Sequence, residues 1–191
     1  MAAYPVGSVP GSGLLTAADL AFEPDDGLRR ELYDGVMHVS PPPSDDHGWE
    51  VEVCRRVLSA QAPDDVYLLQ NVGVHVGIRR LFVPDLTVVH CTTPFHDYGY
   101  DPGGVLLVVE CVSPGSVTMD RVAKPAVYGE QGIPFFWRVD DGPRVQSCRL
   151  DPRIGKYRFD AELGPAEAGE LAAPWPVHLD TNELIMPHKR H

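Results

Sequence analysis

No run in the chain approaches the roughly 18 consecutive apolar residues that span a bilayer, which excludes a membrane-spanning helix and any membrane partner of that kind. The first residues carry no basic segment followed by an apolar stretch, so no secretory signal is read and a cytoplasmic location is expected. The four cysteines (Cys54, Cys91, Cys111, Cys148) include no Cys-x-x-Cys pair. That spacing excludes the usual zinc ribbons and thioredoxin-type motifs, and reduced, mostly buried thiols are expected. A basic excess is also missing: 16 Lys and Arg against 27 Asp and Glu give a net charge of −11. General phosphate neutralisation therefore cannot drive nucleic-acid binding, and any such substrate must be held at a local site. Gly103-Gly104 lacks the Gly-Lys-Ser/Thr ending of a phosphate loop. Ser113 and Ser116 lack a Gly-x-Ser-x-Gly frame, and no His-x-x-x-His pair offers metal-ligand spacing.

What is present is ordinary globular composition: 191 residues, 43% hydrophobic and 23% charged. The acidity is uneven, with 12 acids and 4 bases in residues 1–65. The Gly/Pro/Ser-rich residues 1–13 read as a flexible leader, 14–187 as a single domain and 188–191 as a tail. Thr16 with Asp19 marks the start of a short N-terminal helix, and Pro24 to Gly27 a turn. Asp34-Gly35 between two short apolar-alternating runs predicts a β-hairpin. Ser44 caps a helix over about 45–61, where Val51, Cys54, Val57 and Leu58 recur at helical spacing. Strands are expected at 66–69, 72–78, 81–90, 105–112, 133–139 and 145–150, with 156–159 pairing onto the last. Residues 105–109 are apolar at every position, the mark of a strand covered on both faces. Helices are expected near 120–131, ended by Gly132, and near 180–185. The fold class is α/β: a mixed central sheet with few helices.

Two acids stand out against that pattern. Asp85 interrupts the run 81–89, and Glu110 sits near the end of 105–112. A carboxylate in a buried strand carries a large desolvation cost unless it is paired or binds a cation. Two on neighbouring strands repel, and a hard divalent cation such as Mg²⁺ is the usual remedy. Asp120-Arg121-Val122-Ala123-Lys124 adds a lysine one helical turn in, whose ammonium would orient an attacking water and offset charge developing on a phosphate. The alternative for Lys124 is a solvated helix residue. Pro125 is compatible only with a first turn, which would start the helix later than Asp120 and alter where Lys124 points.

Pro84-Asp85, Glu110-Cys111-Val112-Ser113-Pro114, Asp120 with Lys124, Tyr128, Gly132-Ile133-Pro134 and Phe136 to Asp140 occur in this order and spacing. Together with Glu31 to Gly35 and Pro41 to Ser44 through His47, they resemble the Uma-two family of restriction-endonuclease-like proteins over roughly residues 14–187. The resemblance implies a PD-(D/E)xK nuclease-like fold, a central mixed sheet flanked by helices with metal ligands on adjacent strands. The standard motif has lysine two positions after the glutamate, where this chain has Val112. The resemblance offers Lys124 as a lysine migrated to the following helix. It also suggests Glu31 as a third acid near the metal; the residue would otherwise be a hairpin surface position. His47 is a candidate for proton transfer or phosphate contact, or else a first-turn residue of an exposed helix.

The resulting expectation is a metal-dependent nuclease cleaving phosphodiester bonds, with DNA as partner. Asp85, Glu110 and the Cys111 carbonyl would hold Mg²⁺ (or Mn²⁺), and Lys124 would position water close to both acids. On this reading Lys124→Met removes a charge, keeps an apolar stem and leaves folding nearly intact. A nuclease scaffold without turnover, acting as a binding or assembly module, is the alternative. Exposed sheet edges near 145–150 and 156–159 suggest a homodimer.

Overall fold

The computed structural model describes residues 13–23, 26–96, 99–113 and 115–190. Nearly all of the expected leader, Pro24 and Asp25 of the expected turn, Pro114 of the resemblance motif and His191 lie outside the described residues. The described residues form three sheets. Strands β1 (Arg29–Tyr33), β2 (Val36–Ser40), β4 (Gly73–His75), β5 (Leu81–Phe82) and β7 (Gly99–Tyr100) form a five-stranded sheet in the order β2-β1-β5-β4-β7. A six-stranded sheet is made from β3 (Val66–Leu69), β6 (Leu86–His90), β8 (Val105–Cys111), β9 (Phe135–Asp140), β10 (Arg144–Asp151) and β11 (Lys156–Leu163), ordered β11-β10-β9-β8-β6-β3. Its one parallel pair is β8 with β9, joined by a helical crossover. A small hairpin, β12 (Ala168–Leu171) with β13 (Val177–Asp180), makes the third.

The long helix α1 (Asp45–Ala60) packs Val51, Cys54 and Leu58 onto one face of the six-stranded sheet, against Leu86, Val88, Leu107 and Val109. Ser44 caps it, its hydroxyl accepting from the His47 N–H at 3.3 Å. The β12–β13 hairpin closes the same core with Leu171, Val177 and Leu179, and Trp49 Nε1 donates to the Glu183 carbonyl. The other face is covered by α2 (Lys124–Glu130) and the five-stranded sheet, through Val74, Phe82, Val127, Tyr128 and Ile133. Cover on both faces is what the all-apolar run 105–109 requires; Leu107, Val108 and Val109 are completely buried.

The β1–β2 hairpin turns at Asp34 (φ 49°) and Gly35 (φ 82°), the two positive angles that a two-residue loop of this kind demands. Its outer face is covered by Ala17 and Leu20 of a six-residue 3-10 helix, Ala17–Phe22, where an N-terminal helix is expected. The Asp19 carboxylate accepts from both the N–H and the hydroxyl of Thr16 at 2.7 Å.

Four differences from the sequence expectation have local causes. Residues 81–90 are not one strand: β5 and β6 belong to different sheets, because Pro84 has no N–H for a ladder and the Val83 N–H is taken by Glu31 Oε1 at 2.8 Å. Asp85 therefore lies in the bend between two sheets and not inside a strand. The helix does not start later than Asp120, for a π-helical turn over Met119–Ala123 runs directly into α2, its Lys124 N–H bonding the Met119 carbonyl. This wider turn accommodates Pro125, which cannot make the ordinary i→i−4 bond. At the other end of α2, Gly132 (φ 82°) supplies the left-handed residue that stops the helix. The strand read at 156–159 extends to Leu163, and β7, β12 and β13, only two to four residues long, carry too little periodicity to be read.

All four cysteines are free; Cys54 and Cys111 are buried, Cys148 is half-buried and Cys91 is exposed. Among the described residues no helix is long and apolar enough to cross a membrane.

Candidate active site

The sheet crossover at Val83–Asp85, the end of β8, the inner face of β1 and the start of α2 meet at one cluster of acids. β6 runs antiparallel to β8 with Leu86 opposite Val109, which sets Asp85 beside Glu110. Asp85 Oδ2 accepts the Cys111 N–H at 2.8 Å, fixing that carboxylate to the strand bearing Glu110. Glu31 and Asp120 complete the set, and all four acids are buried.

Two groups of cations divide these acids. Lys124, 1% exposed, places its ammonium 2.9 Å from Glu31 Oε1, 3.2 Å from Glu110 Oε1 and 3.3 Å from Asp120 Oδ1. Tyr128, one turn further along α2, donates its hydroxyl to Glu110 Oε1 at 2.8 Å. Asp85 is paired elsewhere: Arg29 Nη1 lies 2.6 Å from its Oδ1, and His47 Nε2 lies 3.1 Å from the same oxygen. Structure thus brings Asp85, Glu110, Lys124, Glu31 and His47 into one site, but Lys124 pairs with Glu31, Glu110 and Asp120 where proximity to Asp85 and Glu110 is expected. Its burial argues against the expectation that Lys124→Met leaves folding nearly intact, because the change would strand three buried carboxylates.

The electrostatics follow from the geometry. Burial alone would raise the Asp85 carboxyl, but the His47 hydrogen bond, the charges of Arg29 and His47 and the Cys111 N–H outweigh it and hold the group at about 2. His47 is raised in return, chiefly by its hydrogen bond to Asp85. Glu110 is pushed well up by burial and by Asp120, Asp85 and Glu31, with Lys124 opposing. Asp120 is raised, mainly by burial. For Lys124 burial favours loss of the proton, yet Glu110, Glu31 and Asp120 overcome it and keep the ammonium charged.

An open cleft reaches this cluster from the Asp85 side, lined by Arg29, Ser44, His47, Asp85, Ser113 and Ser116. Arg29 and Tyr128 are the site residues whose contacts sequence reasoning missed. Tyr128 carries part of the family resemblance without an assigned role, and Arg29 reads as one more hairpin charge. Register alone could have flagged Arg29: it shares the inner face of β1 with Glu31, two residues on.

Whether this donor set fits a hard divalent cation can be judged from its chemistry. Carboxylate oxygens and a strand-end carbonyl are the right donors. Four buried carboxylates face Lys124, Arg29 and His47, and Asp120 Oδ1 has the Lys124 ion pair at 3.3 Å but no well-formed hydrogen bond among the described residues. The donors fit. Their present arrangement does not converge: among the described residues no three Asp, Glu, His or Cys side chains share a point that could hold a metal.

Residues 18–174 match the Uma2 family, whose description is "Putative restriction endonuclease". The chain belongs to the Uma2 family. The restriction-endonuclease-like fold implied by the resemblance is the fold found. It is similar to the crystal structure of a protein from Anabaena variabilis ATCC 29413, described as "a putative nuclease belonging to DUF820". That similarity has a TM-score of 0.65 at 17% identity and covers 89% of this chain and 97% of the other. None of the curated proteins matches the chain.

Proposed function

We propose that this Uma2 protein is a metal-dependent nuclease that hydrolyses phosphodiester bonds in DNA. The observation that carries the proposal is the adjoining pair Asp85 and Glu110, with Asp85 lining an open cleft and anchored on the Cys111 N–H, and Glu110 buried behind it. Membership of a family described as "Putative restriction endonuclease", and the similar fold of the Anabaena protein, support the same reading. Asp85, Glu110 and the Cys111 carbonyl would hold Mg²⁺, with Mn²⁺ as substitute. When bound, the metal supplies polarisation of the phosphate and a more acidic water.

The chain's own groups do the rest. Lys124 fixes Glu110 and Glu31 from behind, and positioning of the attacking water by its ammonium is part of the proposal. His47, held on Asp85 and facing the cleft, is placed to pass a proton or to touch the phosphate. With a net charge of −11, binding must come from this local site.

The test is conversion of supercoiled plasmid to open circle with Mg²⁺ or Mn²⁺, comparing wild type with Asp85→Asn and Glu110→Gln. Activity in wild type and its loss in both variants is expected. Equal cleavage by all three preparations would place the activity elsewhere. One observation favours a second reading, an inactive scaffold acting as a binding or assembly module: both oxygens of Asp85 are already engaged within the chain. Mn²⁺ calorimetry alongside cleavage separates the two: absence of binding at millimolar metal, or binding without cleavage, would leave the scaffold reading.

A further inference from the structure

Both oxygens of Asp85 are in use before any ligand arrives. Its Oδ2 holds the Cys111 N–H, and its Oδ1 is shared by His47 and Arg29. The Arg29 guanidinium stays protonated at every working pH, so nothing short of displacement removes it. An incoming cation at Asp85 Oδ1 must compete with it directly, and one at Oδ2 must share the carboxylate with its charge. Displacement is open to Arg29 in a way that it is not to Lys124. The Arg29 side chain is 25% exposed where that of Lys124 is 2%, and it lines the cleft. It also belongs to β1 of the five-stranded sheet, whereas Glu110 and the start of β6 belong to the six-stranded one. Its other hydrogen bond, to the Val83 carbonyl at 3.4 Å, is long, and beyond Asp85 only the charges of Glu31 and Glu110 draw it inward.

We infer that Arg29 is an exchangeable counter-ion of Asp85 that becomes a phosphate-binding residue. Without metal it keeps Asp85 charged and in place. A divalent cation at Asp85 releases it into the cleft, where its planar fork of donors matches the oxygens of a phosphodiester. The inference rests on the nuclease reading for the identity of the phosphate, but not for the competition itself. It has a thermodynamic consequence. A phosphate that draws Arg29 away from Asp85 raises the affinity for metal, and metal raises the affinity for phosphate by the same factor. Metal loading and substrate binding are thereby linked through one side chain.

The experiment is Mn²⁺ calorimetry on wild type, Arg29→Gln and Arg29→Lys, each with and without the thymidine dinucleotide TpT, alongside plasmid cleavage by the same preparations. Arg29→Gln should bind Mn²⁺ about tenfold more tightly than wild type, and Arg29→Lys, which keeps the charge, should stay near wild type. TpT should tighten Mn²⁺ binding about fivefold in wild type and leave Arg29→Gln unmoved. Thermal melts establish that each variant is folded. Equal or weaker Mn²⁺ binding by Arg29→Gln, or the same TpT effect in both proteins, would overturn the inference even if wild type cleaves plasmid. A gain in Mn²⁺ affinity with no cleavage by any preparation would overturn the nuclease reading and leave the competition standing. No Mn²⁺ binding by any of the proteins would overturn both.

Discussion

The two halves of the acidic cluster hold their charges in opposite ways. On the α2 side, one buried ammonium is shared by Glu31, Glu110 and Asp120, and Tyr128 completes the coordination of Glu110. On the cleft side, Asp85 is held by Arg29 and His47, both reachable from solvent. The first arrangement is locked by burial: no partner leaves without stranding charge in a low-dielectric interior. In the second Asp85 is itself buried, but its partner Arg29 is 25% exposed and lines the cleft, so Arg29 can move into solvent where Lys124 cannot. A site built this way keeps Glu110 rigid while leaving Asp85 able to change partners. Lys124 is therefore part of the fold as much as part of the chemistry, and Arg29 is the adjustable element.

The comparison breaks first if Lys124 proves dispensable. Lys124→Met should cost about 3–5 kcal/mol in urea unfolding, because it removes the cation from three buried carboxylates. A loss under about 1 kcal/mol would mean that the three acids simply take up protons. Tyr128→Phe probes the same half more gently. It should cost about 1–2 kcal/mol through the lost hydroxyl donor to Glu110, read in the same unfolding assay.

The cleft-side half is sharpened by Glu50, one turn along α1 from His47. Burial pushes its carboxyl up to about 7; His47 opposes this, and Asp141 and Asp46 add to it. A carboxyl raised on folding favours the folded state while it is protonated, and that advantage fades as pH rises from about 4.5 to 7. Above pH 7 the folded protein carries the full cost of a charged, half-buried Glu50. Glu50→Gln should therefore stabilise the protein by about 1–2 kcal/mol at pH 8, after allowance for solvent screening, and change little at pH 5. Equal effects at both pH values would contradict this. Arg29→Gln should cost clearly less than Lys124→Met in the same unfolding assay, about 1–2 kcal/mol, since Asp85 is buried but keeps His47 and the Cys111 N–H.

How much of this was legible in the sequence depended on how many residues announced each feature. The apolar block 105–109 marked a doubly covered strand, and Ser44 with the 45–61 periodicity marked α1, because several positions agree in each. Asp85 and Glu110 were conspicuous as charges among apolar neighbours. Glu31 and His47 could be tied to them only through the family resemblance, for neither interrupts a hydrophobic pattern. Pro84 was visible but its effect was not: a proline in an apolar run says that a ladder bond is missing, and not that the chain leaves one sheet for another. Arg29 was invisible for a related reason. On a short hairpin an arginine is ordinary, and only the packing of one sheet against the other aims it at Asp85. Lys124 was found by chemistry, while its burial depended on Pro125 and the π-helical turn that sets the start of α2.

The central claim is that the cluster has one fixed half and one exchangeable half, and a Mn²⁺-soaked crystal tests it most directly. The account requires an anomalous manganese peak against the Asp85 carboxylate, Arg29 withdrawn from its 2.6 Å contact, and Lys124 still paired with Glu31, Glu110 and Asp120. An Arg29–Asp85 pair intact at saturating Mn²⁺, or a metal that binds by displacing Lys124, would contradict it.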